Sequence, residues 1–130
     1  MIEFQRLLTA VILTMALVGC SGNTSLAPVT GTVTYLKQPL AEGEITFLPE
    51  GGRPSYGKIT DGKITDVTNE DGPGVMVGKC KVTISSIEGG NDMYAKKKSR
   101  IPERYSDPTK SNLTATVPAR GTEVNFDLTK

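Results

Sequence analysis

The stretch "YGKITDGKITDV", Tyr56 to Val67, decides the fold class. Ile59 and Ile64 sit symmetrically about Asp61 and Gly62, a dipeptide favoured in two-residue hairpins because both central positions need positive φ. The stretch therefore predicts two short antiparallel strands.

A period of two marks the segments outward from it in both directions. "GTVTYLK" alternates Val33 and Tyr35 with threonines, and "GEITFLP" offers Ile45 and Phe47. "GKCKVTISS" sets Cys80, Val82 and Ile84 against Lys79, Lys81 and Thr83, so Cys80 is expected to point into the core as a small hydrophobe. "NLTATVP" offers Leu113, Ala115 and Val117; "TEVNFDLT" offers Val124, Phe126 and Leu128. That makes seven short strands, almost no helix, and turn signals between them. The pattern predicts an all-β domain, a seven-stranded antiparallel β-sandwich over residues 29–130.

Composition narrows the chemistry. The chain has 130 residues and no histidine, so neither a Cys/His zinc site nor a Ser-His-Asp or Cys-His catalytic set can be assembled. No cofactor and no metal site is expected, and the protein is not expected to be an enzyme. Fifteen basic residues face fourteen acidic ones, a balance that gives no strongly basic face for nucleic acid.

Several quoted segments together resemble one family. "GTVTYLKQPLAEGEITFLPEGG" looks like the opening of carboxypeptidase regulatory-like, prealbumin-type domains of small bacterial lipoproteins: a strand, a turn before Pro39 and Leu40, then a second strand with an apolar pair. The "TDGKI" hairpin and "VGKCKVTI" are similar to the family's next elements, with Val77 and Cys80 where the family carries proline and tyrosine. "IPERYSDPTKSNLTATV" resembles its closing signature. The resemblance covers nearly all of residues 29 to 129 and implies a prealbumin-like fold and a non-catalytic module.

The N-terminus fits the same picture. "LLTAVILTMALV", Leu7 to Val18, is too short to span a bilayer but has the proportions of a signal peptide. Leu17, Val18, Gly19 and Cys20 then resemble the lipobox of bacterial lipoproteins. The resemblance implies cleavage between Gly19 and Cys20, with residues 1–19 removed, and lipidation of Cys20 on sulfur and, usually, on its new amino group (palmitate-type acylation). Each buried methylene contributes about 0.8 kcal/mol, so two or more chains anchor durably. A disulfide to Cys80 is the weaker alternative, because acylation consumes the thiol. Residues 20–28, including "SGNTSLAP", lack any period and are expected to form a flexible lipidated tether. The expected location is the bacterial cell envelope, bound to a membrane through the N-terminal lipid.

Three polar clusters compete with plainer readings. Asp61, Asp66, Asn69, Glu70 and Asp71 are oxygen ligands of the kind calcium uses, but their spacing matches no EF-hand loop and "TNEDGPG" is rich in turn formers. Lys96, Lys97, Lys98 and Arg100 could meet an anionic leaflet or simply face water. Glu103, Tyr105, Asp107 and Ser111 could form a carboxylate pair with a hydroxyl, making Glu103, Tyr105 and Asp107 the candidate contacts for a ligand or partner. The structural reading of that segment is simpler. Pro102 and Pro108 stiffen it, Ile101 and Tyr105 dock on the sheet, and Asp107 before Pro108 turns the chain. About two dozen residues separate Ser86 from Leu113, too many for a structureless loop in a compact domain. The segment from Glu88 to Ser99 is expected to be its mobile half.

Two functions follow. In one, the protein is a lipid-anchored envelope module that contacts an envelope protein or a glycan. In the other, it binds a small ligand, glycan or calcium, or is weakly hydrolytic, through carboxylates of residues 101–111. Five per cent aromatics and no tryptophan leave little stacking surface for sugars.

Overall fold

The computed structural model describes residues 25–89, 93–94 and 96–130. The expected signal peptide, the Gly19–Cys20 cleavage position and the lipidated Cys20 lie outside these residues. Among those described, no helix is long and apolar enough to cross a membrane.

All seven expected segments are strands: β1 (Val29–Tyr35), β2 (Glu42–Pro49), β3 (Ser55–Thr60), β4 (Lys63–Asn69), β5 (Gly78–Ser85), β6 (Leu113–Val117) and β7 (Thr122–Leu128). They form one continuous sheet in the order β6-β5-β2-β3-β4-β1-β7. The sheet curls until β6 and β7, at its two edges, come into contact. Its inner face carries Ile45 and Phe47 of β2, Ile59 of β3, Val82 and Ile84 of β5, and Val33 and Leu128 of β1 and β7, all essentially inaccessible to solvent. Burying a side chain of this size contributes about 1.5–3 kcal/mol, and this row is the main source of stability.

The β3–β4 hairpin turns as its sequence requires. Asp61 and Gly62 have φ of 48° and 78°, the paired left-handed conformation of a two-residue turn. Strict alternation beyond Ile64 would bury Asp66 and expose Val67. The structure avoids this with a bulge: the pairing register shifts between Tyr56 and Lys58, and Asp66 takes a φ of 53°. The extra residue turns Asp66 out to water and Val67 into the core.

Two expectations are corrected. The sheet is not wholly antiparallel, because β7 runs parallel to β1 from Thr122 against Val29 to Leu128 against Tyr35. Gly31 permits this: a Cβ there would lie 1.7 Å from the carbonyl oxygen of Val124. On the outer face, the hydroxyls of Thr32 and Thr34 donate to the side chains of Asn125 and Asp127 at 2.6 and 2.7 Å. The second correction concerns the tether. Leu26–Ala27 pairs antiparallel with Val75–Met76, the amide of Val77 donates to the carbonyl of Ser25, and Ala27 is fully buried. Among the described residues the chain is thus joined to the core already at Leu26–Ala27, because Ala27 fills a core position that a period-based reading does not see.

Candidate functional site

The crossing from Ile101 to Ser111 is the segment expected to carry chemistry, and its geometry starts at the prolines. Pro102 leads into a single 3₁₀ turn, Glu103–Ser106, whose one buried side chain is Tyr105. With Ile101, which is also buried, Tyr105 fixes the segment to the core. The Tyr105 hydroxyl donates to the carbonyl of Thr129 at 3.2 Å, and accepts from the Thr129 amide at 3.0 Å and from Nη2 of Arg104 at 2.9 Å. The Arg104 guanidinium stacks on the Tyr105 ring, 4.7 Å from its centre, and also reaches the carbonyls of Thr129 and Lys130. Burial raises the Tyr105 phenol, but these hydrogen bonds and the Arg104 charge outweigh it and leave the group below its ordinary value.

Asp107 is engaged in its own turn. Its Oδ1 accepts from the hydroxyl and the amide of Thr109 at 2.7 and 2.8 Å, which holds the carboxyl below its ordinary value, with a smaller contribution from Lys110. Ser111 is buried and its hydroxyl donates to the Val82 carbonyl in β5 at 2.7 Å. Glu103 faces solvent. Glu103, Tyr105, Asp107 and Ser111 thus belong to one short segment, but Tyr105 and Ser111 are hydrogen-bonded to the scaffold and Asp107 to its own turn. The Asp107 carboxyl is held down, the opposite of what a general acid needs.

The acidic cluster is dispersed. Asp61 is in the β3–β4 turn and Asp66 in the bulge, whereas Asn69 accepts from the Asp71 amide at 2.7 Å and Glu70 pairs with Arg53. Among the described residues no group of three or more His, Cys, Asp or Glu side chains could hold a metal ion. Cys80 is buried, its thiol raised by that burial, and its Sγ donates to the Ala115 carbonyl at 3.5 Å.

No family model, curated protein or solved structure matches the chain. The fold and the site therefore stand on their own geometry.

That geometry includes a feature that period and motif do not reveal. Ile87–Glu88 pairs antiparallel with Lys98–Ser99, forming a short stem in the segment expected to be mobile. Beside the stem lies a groove of about 580 Å³, lined by Ile87, Lys97, Pro102, Glu103, Arg104 and Lys110 among others. That volume falls within the range of ligand clefts, about 300–1,000 Å³. On the other side of the stem a second depression, of about 510 Å³, shares Ser85, Ile87 and Lys97 with the first and adds Glu42, Glu44 and Lys58. Lys97 stands between the two. The only sequence signal for this site is the density of cations between residues 96 and 110.

Proposed function

We propose that this protein is a lipid-anchored, non-catalytic module of the bacterial cell envelope, with a structural or protein-interaction role, whose curled sheet is a seven-stranded prealbumin-type sandwich. The observation that carries the reading is the fate of the polar side chains in the 101–111 crossing. Tyr105 is hydrogen-bonded to Thr129 just past β7 and Ser111 to Val82 of β5, while Asp107 caps its own turn, so the segment acts as a brace between β5 and the end of the C-terminal strand. The apolar run and the Leu17–Cys20 lipobox support the anchor. The family resemblance and the curl of the sheet, which brings both edges together around one core, support the sandwich.

The test is fractionation with mass spectrometry. Wild-type protein should partition with membranes and carry acyl chains on residue 20. Cys20→Ser should be released and unacylated, with an unchanged melting temperature. An intact, uncleaved N-terminus in the wild type, or an acylated Cys20→Ser protein, refutes the anchor. Loss of a measured activity or binding event in Glu103→Gln or Asp107→Asn, at unchanged stability, would replace the structural role by a carboxylate site.

A further inference from the structure

The protein is nearly neutral as a whole, but its charge is unevenly distributed. Residues 96–110 hold six cations, Lys96, Lys97, Lys98, Arg100, Arg104 and Lys110, against two carboxylates, Glu103 and Asp107. Outside that stretch, and after removal of residues 1–19, eight cations face eleven carboxylates. Lys96, Lys97 and Lys98 are all exposed and make no ion pair among the described residues. Arg100 pairs with Glu42 at 3.7 Å, and Lys110 with Asp107 at 4.0 Å.

Of these cations Lys97, Arg104 and Lys110 line the groove beside the Ile87–Ser99 stem, together with the carboxylates of Glu103 and Asp107, and Ile87, half exposed, and Pro102 supply apolar surface. Apolar surface in a stretch where six cations outnumber two carboxylates fits a chain that alternates apolar and acidic side chains. It fits a phosphate-dense or sugar polymer less well, because such a polymer has no use for Ile87 and finds no exposed aromatic ring among the described residues of the groove's lining.

The position of the groove gives it a direction. Ser25, where the described chain starts, lies beside Val77, at the end of the sheet where Val29 pairs with Thr122. The groove is at the opposite end, where Ser85 pairs with Glu44 and Tyr105 meets Thr129. Seven residues of β1 separate the two ends by about 20 Å. Five residue steps from Cys20 to Ser25 span at most about 18 Å. A lipid at Cys20 therefore keeps Ser25 within about 18 Å of its attachment point and places the groove at the end of the sheet farther from it.

We propose that this groove is a docking site for an extended acidic segment of another envelope protein, with carboxylates on Lys97 and Lys110 and an apolar side chain on Ile87 and Pro102. The groove's placement relative to the lipid rests on the anchor proposed above, whereas the binding chemistry does not.

The experiment uses the full lipoprotein in neutral vesicles and the Cys20→Ser protein in solution, and measures fluorescence anisotropy of a labelled eight-residue peptide of alternating leucine and glutamate. Both forms should bind it equally, and binding should weaken as salt rises. Lys97→Glu combined with Lys110→Glu should weaken binding at least tenfold at unchanged melting temperature, and Lys97→Ala alone should weaken it measurably if the double variant does not fold. Lys79→Glu, on an exposed position of β5 near the tethered end, should bind as wild type. Absence of binding, equal binding by the Lys97 variants, or tighter binding of an oligogalacturonate or of phosphatidylglycerol vesicles would overturn the proposal. Binding by the soluble form together with a missing acyl chain on residue 20 would overturn the anchor alone.

Discussion

A single hydrogen atom decides whether β1 and β7 can pair. Gly31 lies directly across from Val124, and the space a methyl group would need is already taken by a backbone carbonyl, which cannot rotate away as a side chain can. Gly31→Ala should therefore cost about 1–3 kcal/mol or more, the range of overpacked cores. For a domain of this size each kcal/mol lowers the melting temperature by about 4–8 °C. Thr30→Ala, one residue away on the exposed face, should melt close to wild type; a Gly31→Ala protein melting with it would remove the close approach as a requirement. Asp66 shows the reverse side of residue-level reading. Its neighbours predict burial by alternation, yet a carboxylate buried without a partner costs several kcal/mol, and a left-handed backbone at one residue costs less. The bulge is therefore the lower-energy solution, but it arises from that comparison and not from the pattern of apolar residues.

Elements with a strong period were legible, and those without one were not. β1, β2, β5, β6 and β7 each place at least two apolar side chains on one face, so alternation identifies them, whereas β3 and β4 are marked by Ile59 and Ile64 on either side of the Asp61–Gly62 turn. The Leu26–Ala27 and Ile87–Glu88 strands have two residues each, too few to show any period. Parallel pairing of β7 with β1 leaves no mark on alternation, since both directions put the same side chains inward. In the crossing, Ile101, Tyr105 and Ser111 were readable as structural because proline stiffening and docking account for their spacing; the clamp of Arg104 on Thr129 and Lys130 was not, because it depends on where the chain's last residues return. That clamp yields a prediction at this scale. Trypsin acting on the native protein should cut after Lys96, Lys97 or Lys98, which are exposed beside a two-residue stem, much faster than after Arg104, whose side chain and 3₁₀ turn are held on the core. Peptide mapping at short digestion times distinguishes the two, and a first cut at Arg104 would contradict the braced crossing.

For the whole molecule, one core serves every strand. Val82 sits at its centre, fully buried on β5 between Phe47 of β2 and Leu113 of β6, and its carbonyl also receives the Ser111 hydroxyl. Val82→Asp should unfold the domain outright, since an unpaired buried charge costs several kcal/mol against a total stability of about 5–15 kcal/mol. Circular dichroism should then lose its strand signal, and a folded Val82→Asp protein would show that the sheet has more than one independent core. The parallel pair at the sheet's edge has a further, mechanical meaning. The N-terminal end of β1 and the C-terminal end of β7 lie at opposite ends of the parallel pair, so a pull applied between Val29 and Leu128 runs along both strands in opposite senses. The bonds joining them are then loaded in shear, all sharing the force at once, and the strands cannot be peeled apart one bond at a time as a hairpin is unzipped. Held by one end in a membrane and by the other in a partner, the domain would behave as a stiff link that yields abruptly, and in single-molecule stretching Gly31→Ala should lower the force of that rupture.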